Sequence, residues 1–131
     1  MTPAVWFFAA LILIAALVLV VAWKVGRKRA LSAAAAVRLK NEWKKVESIK
    51  DPHRRIMDAE KILDSAMKTL GYEGTFAEKL QSAGPRFSQL DLLWDAHRLR
   101  NRIAHEVGIA VSESDAKRTL QAFERAIKDL S

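Results

Sequence analysis

Apolar residues fill the first part of the chain without interruption. From Ala4 to Trp23 there are twenty residues without a charged or strongly polar side chain. A helix of that length is about 30 Å long, which matches the hydrocarbon thickness of a bilayer. Trp6 and Trp23 lie near its two ends, where aromatic side chains favour the membrane interface. The pattern predicts a single N-terminal transmembrane helix, so the lipid bilayer is the expected partner of residues 4–23.

A cleaved secretory signal is the alternative for this segment. Such a signal has a basic N-terminal region, a shorter apolar run and a cleavage site directly after it. Here no Lys or Arg precedes the apolar run, whereas Lys24, Arg27, Lys28 and Arg29 follow it at once. We therefore predict a retained anchor over residues 1–24. Because basic residues stay on the cytoplasmic side, we expect the N-terminus outside the cell membrane and the C-terminal domain in the cytoplasm.

After the anchor, apolar residues recur at the three- and four-residue steps of amphipathic helices. The spacing predicts helices over about 31–49, 52–70, 76–82, 88–106 and from 113 onward. The first of these is expected to run on from the membrane helix or to start separately. Four longer helices and one short helix predict an all-α antiparallel four-helix bundle. We assign the bundle to residues 37–131 and a basic juxtamembrane segment to residues 25–36.

Capping residues support these helix ends. The predicted N-terminal caps are Asp51 before Pro52, Thr75 with Glu78, Ser88 with Asp91, and Ser112 with Asp115. In each, a side-chain oxygen accepts from a backbone N–H that the first turn leaves unpaired. The predicted stops are Gly71, Gly84-Pro85 and Gly108.

The helix over 88–106 has an unusual second face. Its predicted core face, by the 100° step of a helix, comprises Leu92, Ala96, Leu99 and Ile103. The far side carries a Trp, an amide and two basic groups in one row, with His97 on the flank: Trp94, Arg98, Asn101 and His105. Two interpretations stay open. Trp94 packs beneath the short helix while His105 bonds to a loop carbonyl, or the row forms a functional surface and a dimer interface.

Charge is distributed unevenly along the chain. The net charge is +7, yet residues 24–55 hold 11 Lys and Arg against 3 Asp and Glu, and residues 56–131 hold 11 against 12. Basic groups beside a membrane bind anionic lipid, so anionic lipid is the expected partner of the juxtamembrane segment. The basicity alone is therefore no argument for nucleic-acid binding. The chain has no cysteine, and neither a metal-ligand set nor a phosphate-binding Gly loop is recognisable.

One motif in the 88–106 helix resembles a known family. Arg100, Asn101 and His105 match an Arg, a polar residue often Asn, three variable positions and His. That hexad, late in a small helical bundle, resembles the signature of the HEPN superfamily over roughly 39–130. The resemblance implies metal-independent RNA cleavage in active members, without a cofactor. It makes His105 a general acid or base at the ribose 2′-hydroxyl, Arg100 a phosphate ligand, and Asn101 an orienting group.

The resemblance also implies a homodimer, because two motifs usually meet across a dimer, and many members are binding modules without activity. The near-neutral charge after residue 55 and Glu106 beside His105 count against RNA cleavage, whereas Arg98, Arg100 and Arg102 favour it. The sequence thus predicts a membrane-anchored interaction, RNA-binding or nucleotide-binding module. The alternative is a metal-independent endoribonuclease that uses Arg100 and His105. An RNA ligand and a protein partner both stay open.

Overall fold

Helices account for most of the chain in a computed structural model that describes residues 2–26 and 29–131. Within those residues there are six α-helices, one short 3₁₀ turn at Gly84–Arg86 and no β-strand. The α-helices are α1 (Pro3–Gly26), α2 (Ala33–Glu47), α3 (Pro52–Thr69), α4 (Phe76–Ala83), α5 (Leu90–His105) and α6 (Glu113–Asp129). The all-α prediction is confirmed.

The helix α1 is long and apolar enough over Pro3–Ala22 to cross a membrane. Its large apolar side chains, from Val5 to Val21, are all exposed. The other helices of the described chain therefore leave these side chains uncovered. Of the basic cluster after α1, residues 27 and 28 lie outside the described residues.

Most helix ends lie where their capping residues predict. Thr75 and Glu78 form a capping box at the start of α4, and the Ser112 side chain accepts from Asp115 N at 3.0 Å. Gly71, with φ +94°, follows the end of α3, a conformation that glycine adopts without strain. A separate N-cap, Ser32, starts α2, so α2 does not run on from α1.

Three links between distant segments define an up-down-up-down arrangement. Leu31 N donates to Leu130 O at 3.1 Å, which joins the start of α2 to the end of α6. Ser88 Oγ donates to Asp129 Oδ2 at 2.8 Å, which puts the start of α5 at the same end. The His53 ring pairs with Ile109 O at 2.6 Å at the opposite end. We call these the Leu31 end and the His53 end of the bundle.

The core is formed around α3, which packs against α2, α4, α5 and α6. Its fully buried positions include Ile56, Ala59, Leu63 and Met67. Phe123 of α6 and Leu39 of α2 add fully buried side chains from the neighbouring helices. Burying an apolar side chain of this size contributes about 1.5–3 kcal/mol, so this cluster is the main source of the bundle's stability.

The predicted core face of α5 is right at Ala96 and wrong at Leu92, and the predicted N-cap of this helix is wrong. Its buried residues are Leu93 and Ala96, whereas Leu92, placed at the centre of the predicted core face, is 49% exposed. Leu99 and Ile103 are only partly buried. The centre of the buried face is turned by about 60° from the centre of the predicted one, with Ala96 common to both, and this directs Arg100 towards α3. Ser88 is also not the N-cap of α5, since its hydroxyl bonds to Asp129 of α6 instead.

Candidate functional site

Two acidic side chains on α3 form ion pairs with basic side chains of two other helices. Glu60 is a buried residue, and Asp64 follows one turn later on the same side of α3. Lys79 of α4, whose side chain is 7% exposed, places Nζ 2.7 Å from Asp64 Oδ1. Glu60 faces α5. These acidic groups therefore hold α4 and α5 on α3 in a fixed register, in addition to the apolar contacts.

The carboxylate of Glu60 lies between a histidine and an arginine of α5. Its Oε2 atom lies 2.9 Å from His97 Nδ1, and its Oε1 atom lies 3.0 Å from Arg100 Nε. The Arg100 contact is an ion pair by distance, although Nε is not aligned for a hydrogen bond. The side chains of Glu60, His97 and Arg100 are 7%, 12% and 25% exposed. The pairing is thus mostly shielded from water.

Hydrogen bonding around His97 assigns its ring a neutral form. The Nε2 atom lies 3.2 Å from the side-chain nitrogen of Asn101, which can only donate. Nε2 is then an acceptor, so the ring proton lies on Nδ1 and is donated to Glu60. The Asn101 amide is oriented by its other bond, because its oxygen accepts from Arg100 Nη1 at 3.3 Å. Arg100 is therefore the positive charge that balances Glu60.

Aromatic side chains cover the same histidine. The Phe76 ring of α4 lies 4.7 Å from the His97 ring, centroid to centroid, and tilted by 32°. Trp94, one turn before His97 on α5, meets it edge-on at 6.0 Å. Both aromatic side chains are partly buried against the core. They exclude water from the Glu60–His97 bond, which strengthens it and makes an unpaired charge there costly.

Burial raises the pKa of Glu60 above its ordinary value, and the nearby Asp64 carboxylate acts in the same direction. The hydrogen bond from His97, the charge that the His97 ring carries when it is protonated, and the charge of Arg100 oppose that rise of the pKa. Burial is the larger effect. Glu60 is therefore a carboxyl group whose charged form the fold does not fully compensate.

The three residues of the predicted motif lie in different environments. Arg100 points to Glu60, Asn101 is partly buried beside His97, and His105 is exposed at the last residue of α5. On an ideal helix, positions five residues apart are separated by about 140° around the axis and about 7.5 Å along it. Within one chain the structure thus joins Arg100 and Asn101 by a hydrogen bond and directs Arg100 away from His105, which lies one turn after Asn101.

The other charged residues of the motif region form pairs along the helix surface. Arg98 pairs with Asp95, and Arg102 Nε lies 3.7 Å from Glu106 Oε2. The four side chains are 55–65% exposed, so these pairs contribute little to stability. The loop carbonyl of this region is bonded by His53 and not by His105. Trp94 meets the ring of His97, and His97 also packs against Phe76 of the short helix α4.

Glu60 is the residue of this cluster that the sequence did not indicate. It lies between Ala59 and Ile62 on a helix rich in apolar residues, where a single Glu reads as an exposed position. The available signal was the four-residue step from Glu60 to Asp64 on the inner side of α3. Within the described part of the chain, no group of three or more His, Cys, Asp or Glu side chains is placed to hold a metal ion.

Comparison with protein-family models, with curated proteins and with solved structures finds no match to this chain.

Proposed function

We propose that this chain is a membrane-anchored interaction module with a HEPN-like bundle that acts as a homodimer in the cytoplasm. The observation that carries the proposal is the apolar strip that α5 leaves uncovered. Leu92 is 49% exposed, and Leu99 and Ile103 are partly exposed along the same side of the helix. This strip borders a groove between α5 and α6, where Asp115 and Arg118 also lie.

Charge along α5 makes the strip complementary to a second copy of itself. The first half of the helix carries Asp91 and Asp95, and the second half carries Arg98, Arg102 and His105; within one chain Asp95 pairs with Arg98, and Arg102 pairs with Glu106. A two-fold axis near Leu99 pairs two α5 helices in opposite directions, so acidic groups of one copy meet basic groups of the other. The apolar strip then becomes the buried centre of the interface. Trp94 is packed within its own bundle and lies outside this interface.

The anchor supports the membrane part of the proposal. The exposed apolar surface of α1 needs a non-aqueous solvent, and the basic residues after it favour a cytoplasmic bundle. A tag fused after Ser131 should resist protease added outside intact cells. Cleavage of that tag would reverse the proposed topology.

Substitutions on the α5 strip test whether it forms the dimer interface. The full chain in detergent micelles should sediment as a dimer, and Leu92→Glu should convert it to a monomer of unchanged helix content. Val37→Glu is the matched control, because Val37 is also an exposed apolar residue but lies on α2. Asp95→Arg should weaken the dimer, and adding Arg102→Asp should restore it. A monomeric parent, or a Leu92→Glu dimer as stable as the parent, would contradict the proposal.

RNA cleavage of the HEPN type is the second candidate, and the exposure of His105 near Arg98 and Arg102 is the observation that favours it. If the parent cleaves RNA, the products should end in 2′,3′-cyclic phosphate and cleavage should survive chelators. His105→Ala should then abolish it. Arg100→Ala is not a clean test, because Arg100 also balances Glu60 in the core. Equal cleavage by the parent and His105→Ala would rule out this site.

A further inference from the structure

A groove between α2 and α6 opens at the Leu31 end of the bundle. Its volume is about 430 Å³, within the usual range of small-molecule sites. Leu31, Leu39, Trp43 and Ile127 form an apolar floor, Lys40 lies on the α2 side, and Lys128 and Glu124 lie on the α6 side. The lysines come from different helices, so the groove combines an apolar interior with basic groups at its margin.

The chain between α1 and the bundle keeps this groove close to the membrane. The helix α1 ends at Gly26, and Leu31 is fixed to the bundle by burial and by its bond to Leu130. Five residue steps span at most about 18 Å when fully extended. The Leu31 end of the groove therefore stays within about 18 Å of the end of α1. The His53 end faces the opposite way along the bundle.

We propose that this groove binds an acyl chain of an anionic phospholipid, with the headgroup phosphate beside Lys40 and Lys128. The inference rests on the membrane anchoring in the proposed function. An acyl chain fits an apolar floor, and a phosphate attracts lysine as a point charge. Anionic lipids also concentrate where basic residues follow a membrane helix, which supplies the ligand at high local concentration.

The two lysines do not contribute equally to the margin. Lys128 Nζ lies 3.4 Å from Glu124 Oε1, so part of its charge is balanced within the protein. Lys40 is exposed on α2, one turn after Ala36, which also lines the groove. Lys40 is therefore the main phosphate ligand, and Lys128 closes the other side.

Trp43 makes the floor of the groove directly observable. The chain has four tryptophans, so a variant with Trp6, Trp23 and Trp94 changed to Phe reports Trp43 alone. In vesicles with phosphatidylglycerol brominated on its acyl chains, Trp43 emission should fall roughly two-fold, because a chain in the groove contacts the indole. The control retains Trp94 alone, which packs beside His97. Its emission should change little.

Brominated phosphatidylcholine in the presence of unlabelled phosphatidylglycerol tests the headgroup. It should quench Trp43 much less, since the anionic lipid occupies the groove. Lys40→Gln with Lys128→Gln should weaken the preference for phosphatidylglycerol about 30-fold, at about 1 kcal/mol for each lysine near an anionic surface. The matched control is Lys44→Gln with Lys45→Gln. These two lysines are exposed on α2, the helix of Lys40, and are not among the residues that line the groove.

The outcomes separate this inference from the proposed anchor. A chain that resists extraction from vesicles at alkaline pH, yet shows Trp43 unquenched, overturns the groove and leaves the anchor intact. Equal quenching by the two brominated lipids, or an equal effect of the two lysine pairs, overturns the selectivity for an anionic headgroup. A chain that alkaline treatment extracts overturns both the anchor and the groove.

Discussion

The helices α5 and α6 both pack against α3, but they do so through different chemistry. At its buried positions α6 presents mainly small and apolar side chains, with Phe123 fully buried and Ala116, Ala122 and Ala126 around it. The buried side of α5 holds only Leu93 and Ala96, and its contact with α3 is completed by His97 and Arg100 on Glu60.

The difference shows two ways to fix a helix in a small bundle. Apolar contacts tolerate some rotation, because they are non-directional. An ion pair that is shielded from water does not tolerate such a rotation, because the rotation would separate the two charges and leave a buried charge uncompensated. Because Glu60 holds α5, Leu92 is turned towards the outside, and Leu99 and Ile103 are only partly buried. The buried pairing thus creates the strip that we propose as the dimer interface.

The largest expected effect is at the centre of α6. Phe123→Ala should lower the free energy of unfolding by about 4 kcal/mol, because it removes a fully buried ring and leaves a cavity. Leu92→Ala should cost less than about 1 kcal/mol, since that side chain is half exposed. Urea denaturation of the full chain at low concentration, followed by circular dichroism, measures both. Similar losses would show that α5 buries Leu92 after all.

The next effect concerns the charged contact of α5. Arg100→Ala should cost about 3 kcal/mol, because Glu60 loses the charge that balances it inside the bundle. The same denaturation experiment measures it. Arg98→Ala, two residues earlier on the exposed side, should cost less than about 0.5 kcal/mol.

A double substitution distinguishes whether Arg100 stabilises the fold through its ion pair with Glu60 or through packing. Glu60→Gln together with Arg100→Met removes both charges and should be more stable than Arg100→Ala alone. If the double variant is instead as unstable as the two single changes combined, Arg100 acts through packing and not through Glu60.

Helix positions were predictable because their ends depend on neighbours in the sequence. Thr75 and Glu78 cap α4, and Ser112 caps α6, within four residues of chain. The prediction that Ser88 caps α5 failed because its partner is distant in the sequence. Its hydroxyl had a local backbone to cap but bonds to Asp129, forty-one residues away, and no local pattern contains that partner.

The core face of α5 could not be predicted for a similar reason. The predicted core face contained only apolar residues, and Arg100 lies on the inner side only because an acidic group of another helix, Glu60, pairs with it there. The motif residues Arg100, Asn101 and His105 were named from the resemblance of a short stretch of sequence to the HEPN signature. Their separate environments became visible only when α3 and α5 were placed together. Whether they serve catalysis stays a prediction.

The pH dependence of the free energy of unfolding tests the role of Glu60. Because burial raises its pKa in the folded protein, the folded state binds a proton more tightly than the unfolded chain does. The stability of the parent relative to Glu60→Gln should therefore fall as the pH rises from 4.5, the ordinary value, through the raised pKa. Above that pH the difference should be constant. Urea titrations at a series of pH values measure it, and a difference that rises over this window would contradict the assignment.

The smallest expected effect is at His105, and it decides most about function. His105→Ala should change the free energy of unfolding by less than about 0.5 kcal/mol at pH 7.5, because the side chain is exposed at the end of α5. His97→Ala, on the same helix, should cost about 1–2 kcal/mol, since Glu60 and Asn101 both lose a hydrogen-bond partner. A stable His105→Ala chain that no longer dimerises or cleaves RNA would give His105 a surface role that stability cannot explain. A His105→Ala chain as unstable as His97→Ala would instead show that His105 is part of the fold, and the predicted motif would then be structural at both ends.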